Sequence, residues 1–264
     1  MTPSSDPPAD VFSQYLRAVR AALDAIEATQ LDAIRAASER FTRSILAGRL
    51  VHVFGTGHSR MAVEEMFPRY GSFPGFHPIV ELSMTYHNPV VGANGQRQAM
   101  FLENVQGFGP VLWRNFATDP ADSLLAISTS GCNAVTIDVA LEAKRLGMFV
   151  AALTSLPHAN VSTSKHETGK KLFEVADIVL DQHAPAGDAA VRIAGLETPV
   201  APVSSLSACA IVNLVKADVA RRLTEAGAAP KVLTAACHIG AERARELFEA
   251  TYDDYRRRVG VLYR

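Results

Sequence analysis

The sequence predicts an α/β fold: a doubly wound three-layer α/β/α sandwich around a mostly five-stranded parallel sheet, flanked by N- and C-terminal helices. Three observations predict it. Short apolar runs at residues 50–54, 78–82, 123–127, 148–153 and 177–180 alternate with segments of helical periodicity. Most of these runs are apolar throughout, as strands covered on both faces are. Two of them pass into small-residue loops, Gly55-Thr56-Gly57-His58-Ser59 and Ser128-Thr129-Ser130-Gly131-Cys132-Asn133, each followed by a helical pattern.

The first element is a long Ala-rich helical segment over residues 11–46. Phe12, Leu16, Val19, Leu23 and Ile26, then Leu31, Ile34, Phe41 and Ile45, recur at helical spacing. A break is expected near Thr29-Gln30, and Gly48 is the stop. Such a segment packs either on a partner subunit or on its own sheet. Helices over residues 59–70 and 133–146, and a short one at 169–174, separate the strands. The helix predicted over 204–225 has an apolar side with Leu206, Cys209, Ala210 and Val212, interrupted by Lys216, Asp218, Arg221 and Arg222. The last helix, 241–258, is highly charged and belongs at the surface or an interface. Residues 1–10 are rich in Pro, Ser and Asp, with no apolar core of the kind a signal peptide has, and are expected to form a disordered tail. The expected organisation is a tail (1–10), a helical extension (11–47), an α/β binding region (48–226) and a C-terminal tail and helix (227–264), one domain overall.

The 264 residues suffice for a buried core, and 48% hydrophobic with 20% charged residues fits a soluble globular protein. A net charge of −1 gives no ground for a nucleic acid or an anionic membrane as partner. No apolar run approaches the roughly 20 residues that span a bilayer. Cys132, Cys209 and Cys237 are far apart and read as reduced thiols of a cytoplasmic protein. His158, His166 and His183 with Asp181 or Asp188 have ligand chemistry but no metal-site spacing, so neither metal nor cofactor is expected.

Ligands of an open parallel sheet bind at the carboxyl ends of its strands. The polar loops at 55–59, 128–133, 154–166 and 181–188 all follow strands, so they should converge on one edge. A strand that enters a helix through Gly and Ser presents N–H groups and hydroxyls to an anion. The first loop lacks the third glycine of a dinucleotide fingerprint, and no phosphate-binding P-loop occurs, because Ser164 stands where that motif ahead of Gly169-Lys170 needs glycine. The hydroxyls of Ser128, Thr129 and Ser130 are more than helix capping requires.

The two loops together resemble the sugar isomerase (SIS) domain family, whose phosphosugar loop has the form SxSGxx[TN]. The resemblance extends to Glu64-Glu65, His77-Pro78-Ile79, the stretch Ser164-Lys165-His166-Glu167-Thr168-Gly169-Lys170, Gly187-Asp188-Ala189 and Ala201-Pro202-Val203-Ser204. It covers about residues 50–223 and is similar to a sugar isomerase-like, phosphosugar-binding subfamily. It implies phosphate contacts from Ser59, Ser128, Ser130 and Asn133, with Thr129 contributing its backbone. Gly57 and His58 belong to the same loop, Ser204 starts a helix that often adds a ligand contact, and His166 lies in a polar loop on the ligand side. The family also implies a homodimer or homotetramer with sites at subunit interfaces. One departure stands out: the subfamily's Asp-Glu-His-Asn stretch after a Gly-Ala pair is replaced by Glu242-Arg243-Ala244-Arg245 after Gly240-Ala241, leaving His238 as the nearby substitute.

Aldose–ketose isomerisation needs a base that moves a proton between C1 and C2, and an acid/base that opens the ring. Glu65, favoured over Glu64, is the candidate base on the helix after the first loop. Adjacent helical residues point about 100° apart, so at least one of the two faces solvent. For the histidine, His87 is the better placed by topology and His77 lies in the subfamily motif. The expected function is therefore a sugar-phosphate isomerase using a Glu base and a His acid/base on an anionic sugar. The alternatives are a phosphosugar sensor, an assembly factor, and an etherase-like lyase or deglycase acting on an amino-sugar phosphate.

Overall fold

The computed structural model of the protein describes residues 10–85 and 95–264. His87 and residues 1–9 lie outside the described residues.

The chain opens with α1 (Val11–Thr29) and α2 (Leu31–Leu46), parted at Gln30 as the sequence predicts. The break is held from outside. The Thr29 hydroxyl donates to Ala25 O (2.7 Å) and stands 2.9 Å from His183 Nε2, while Gln30 Oε1 accepts from Asp181 N (2.9 Å). The α/β part follows as β1 (Val51–Gly55), α3 (Arg60–Met66), β2 (Phe76–Ile79), α4 (Gly95–Leu102), α5 (Phe108–Trp113), β3 (Ser123–Ile127), α6 (Ala134–Arg145), β4 (Phe149–Thr154), α7 (Leu156–Val161), α8 (Leu172–Val175) and β5 (Ile178–Asp181). Then come α9 (Ser204–Glu225), α10 (Ala236–Ile239) and α11 (Ala241–Val259).

The five strands are all parallel, in the order β2-β1-β3-β4-β5. Helices cover both faces, which is why β1 and β3 are buried along their whole length. Side chains alternate across the sheet. Val51, Val53, Leu125 and Ile127 pack with Phe41 of α2, Met66 of α3 and Ile211 and Val215 of α9. Phe54, Leu124 and Ala126 pack on the other face with Trp113 of α5 and with Val135 and Val139 of α6.

Two boundaries differ from the sequence reading for a physical reason. The strand expected at 78–82 is β2, with Pro78 inside it, paired with Val53. β2 is an edge strand, where a missing N–H is tolerated. The helix expected over 59–70 ends at Met66, because Pro68 forces Phe67 into an extended conformation (φ −169°, ψ 143°). The short α4, α5, α7 and α10 are absent from the sequence reading. α5 hides behind Gly109-Pro110, a pair that reads as a turn. Here the glycine serves close packing, since a Cβ on Gly109 would stand 2.5 Å from the α6 backbone at Asp138.

Candidate functional site

The strand order places a topological switch point between β1 and β3, the position where ligands bind in open parallel sheets. The last residues of these strands, Gly55 and Ile127, are register partners. The two small-residue loops therefore begin side by side. They form a narrow cleft with the start of α9, lined by His58, Ser59, Ala62, Ile127, Thr129, Ser204, Ser205 and Ala208.

The second loop is built to leave hydroxyls available. Ser128 Oγ accepts from Gly131 N (3.1 Å), and Ser130 Oγ accepts from Cys132 N (3.3 Å). A serine oxygen that accepts from an amide still has its own O–H to donate. Thr129 Oγ1 accepts from Gln182 Nε2 (3.0 Å), and its carbonyl is anchored by Ser155 N and the Thr154 hydroxyl. Asn133 starts α6 without capping it through its side chain. Ser59 lies at the end of the first loop, and Gly57 is buried inside it. The structure thus brings Gly57, His58, Ser59, Ser128, Thr129, Ser130 and Asn133 to one edge.

Glu103, which the sequence reading missed, ties the two loops together. Its carboxylate accepts from the Thr56 hydroxyl (2.8 Å) and bonds the Asn133 side chain, while its carbonyl accepts from Val135 N (3.0 Å) in the first turn of α6. The residue is 5% exposed. Burial pushes its carboxyl above the usual glutamate value, against the opposing bonds from Thr56 and Asn133 and the nearby Lys165 charge. The available signal was an acid at the end of the run Ala99-Met100-Phe101-Leu102.

Of the expected catalytic residues, Glu64, Glu65 and His77 do not line this cleft, and His87 lies outside the described residues. Glu65 sits one turn beyond Ala62, where its carboxylate takes Asn213 Nδ2 (2.7 Å) and an ion pair with Arg69. Burial would raise its pKa, but the bonds from Asn213 and Arg69, with the Arg69 and Lys216 charges, hold it below the ordinary value. Glu64 is exposed and paired with Arg60 (2.6 Å). His77 is the second residue of β2, in register with His52 and three residues before the loop edge, about 10 Å away at strand rise. Its Nδ1 lies 2.9 Å from His52 Nδ1, and burial, aided by His52, lowers it to about 3. His77 therefore sits in a buried histidine pair within the sheet, with its own charged form disfavoured.

Two expected ligand contacts have their polar atoms occupied. His166 is buried, with Nε2 2.8 Å from Asp138 Oδ1 and Nδ1 2.7 Å from the Thr168 hydroxyl. Ser204 gives its hydroxyl and amide to Asp188, which also accepts from Val203 N. It lines the cleft together with the neighbouring Ser205, the other serine at the start of this helix. Among the described residues no group of His, Cys, Asp and Glu is placed to hold a metal ion, and no helix is long and apolar enough to cross a membrane.

Residues 14–155, which include both loops and Glu103, match the SIS domain model. The chain belongs to the SIS-domain family. It is 30% identical over 252 residues to the "UPF0309 protein" of Geobacillus thermodenitrificans, covering 96% of this chain and 98% of that one. It is 29% identical to UPF0309 protein lin2794 of Listeria innocua, at 96% and 98% coverage. Among solved structures it is similar to a phosphoheptose isomerase from Neisseria gonorrhoeae, with 16% identity, TM-score 0.47, and coverage of 79% of this chain and 94% of that one. It is also similar to the sugar isomerase domain of an RpiR transcription factor from Sphaerobacter thermophilus, with 17% identity, TM-score 0.45, and coverage of 92% and 96%. The SIS match ends at Ser155, so the 164–170 loop and the start of α9 lie beyond it.

Proposed function

We propose that this SIS protein binds a phosphorylated sugar at the β1–β3 edge and interconverts its aldose and ketose forms, with Glu103 as the acid/base. The observation that carries the reading is the bridging position of Glu103: one buried carboxyl bonds both hydroxyl-bearing loops at the switch point. Ser59, Thr129 and Ser130, with the start of α6, offer donors to the phosphate. The carboxyl takes the C2 proton of the open-chain aldose, giving an enediol, and returns it to C1, while a proton moves from O2 to O1. Burial, by favouring the protonated form, helps the same carboxyl that takes the proton to hold it until it is returned.

The test has two stages. Thermal unfolding is followed against a panel of sugar phosphates, sugar sulfonates and inorganic phosphate. A true ligand at a hundredfold its Kd adds about 2.7 kcal/mol of stability, and Ser130→Ala removes most of that shift. Exchange of the C2 proton in D2O then reads turnover. Binding with exchange that Glu103→Gln abolishes supports the isomerase. Binding without exchange makes the protein a phosphosugar sensor, and no shift with any anionic sugar sinks the site.

A further inference from the structure

The motif Ser164-Lys165-His166-Glu167-Thr168-Gly169-Lys170 is an exposed loop with a buried anchor. Thr168 N donates to His166 Nδ1 (3.2 Å), so that nitrogen is an acceptor and also takes the Thr168 O–H (2.7 Å). The ring proton therefore sits on Nε2 and is donated to Asp138 Oδ1 (2.8 Å). The second oxygen of Asp138 accepts from Gly107 N (2.6 Å). One buried carboxylate on α6 thus fixes both the 164–170 loop and the segment that follows Glu103.

Lys165 is clamped on both sides of its backbone. Its N–H donates to Cys132 O in the second hydroxyl loop (2.9 Å), and its C=O accepts from Gln106 Nε2 (2.8 Å). Gln106 Oε1 in turn accepts from Glu167 N (3.1 Å). The lysine side chain is exposed, and its charge is felt at both Glu103 and Cys132. The backbone of Lys165 is thereby fixed against the second loop, and its exposed side chain is close enough to Cys132 and Glu103 for its charge to act on both.

We propose that Lys165 is an anion-binding residue of this site and that Asp138–His166 is the pair that positions it. The inference rests on the phosphate reading of the loops, and it adds a lysine to a cradle of hydroxyls, amides and the His58 imidazole. The charge complements a phosphate dianion, and pinning the backbone limits the side-chain freedom lost on binding.

The test is a 31P NMR titration of the full chain with inorganic phosphate at low ionic strength. Wild type, Ser130→Ala, Lys165→Met, Lys165→Arg, His166→Asn and the Lys165→Met/His166→Asn double variant are compared. Lys165→Met should weaken phosphate binding about three- to tenfold, with the difference shrinking at high salt, and Lys165→Arg should retain binding. His166→Asn should weaken it in the wild-type background but add nothing once Lys165 is gone, an interaction that general loss of stability would not produce. If Ser130→Ala loses binding and Lys165→Met does not, Lys165 is refuted while the loop reading stands. If the wild type does not bind phosphate, both fail together.

Discussion

The Thr56 hydroxyl donates to Glu103 Oε2 across 2.8 Å, joining the first loop to a buried carboxyl that also reaches Asn133 at the start of α6. This bond favours the charged form of Glu103, whereas burial, the larger influence, favours the neutral form. Thr56→Val should therefore move the acid limb of kcat/KM to higher pH. Glu103→Gln should fold and lower kcat by about a hundredfold or more. Stability carries a second signature. A carboxyl raised on folding stabilises fully below its unfolded pKa, and that contribution is lost as pH rises through the folded value. Glu103→Gln should remove this loss, read by denaturant unfolding across the acid-to-neutral range. A variant with full turnover would exclude Glu103 from the chemistry.

His77 gives the opposite pH signature. Its folded value, about 3, lies below the ordinary histidine value of 6.5, because burial and His52 disfavour its charge. The native state binds fewer protons, so stability is full above about 6.5 and falls as pH drops toward 3, by at most about 1.4 kcal/mol per unit. His77→Leu should flatten that decline. At neutral pH it should cost about 1–3 kcal/mol, because His52 Nδ1 loses its partner in the core. Ligand binding at the loop edge should survive. Loss of binding in a folded His77→Leu protein would return this histidine to the site.

The edge at which the two loops meet was legible in the sequence because the loops are local signals: hydroxyls and glycines directly after apolar runs. β3 has the bounds its apolar run predicts, and the helix break falls at Thr29-Gln30, where the sequence reading expects it. Glu103 was not legible, because its meaning depends on Thr56, 47 positions away, and on burial in a segment with no motif. The surroundings of His77 were not legible for the same reason. Its neighbour His52 is distant in sequence and adjacent only in the sheet. Pattern reading locates elements, while the partners of a buried polar group come from topology.

Asp188 illustrates a motif whose purpose is structural support of the site. It adopts φ 55°, and its carboxylate accepts from the amides of Val203 and Ser204 and from the Ser204 hydroxyl, capping α9 across fifteen residues of intervening loop. Asp188→Ala should lower stability by about 1–2 kcal/mol, the range of a lost N-cap, with added strain from the left-handed backbone. Asp188→Asn should recover part of it. Because α9 begins at the cleft, Asp188→Ala should also weaken sugar-phosphate binding, measured by titration at a temperature where both proteins are folded.

Gly131 is the residue on which the second loop turns. Its φ is +62°, and a Cβ there would stand 3.0 Å from Thr154 Oγ1, the hydroxyl that donates to Thr129 O. Its amide also bonds Ser128, and its carbonyl accepts from Leu172 N (2.8 Å). Gly131→Ala thus combines a left-handed backbone cost with displacement of the side chain that anchors Thr129. The expected loss is about 1–3 kcal/mol of stability. Binding should fall further than stability alone predicts, because the Ser128, Thr129 and Ser130 hydroxyls are aimed by the turn itself. Pairing Gly131→Ala with Thr154→Ser separates the two effects. The smaller side chain has more freedom to move away from the added Cβ, so it should recover part of the stability while the backbone strain, and the misdirected hydroxyls, persist. Full recovery of phosphate binding in the double variant would show that the contact with Thr154, rather than the left-handed turn, is what demands glycine.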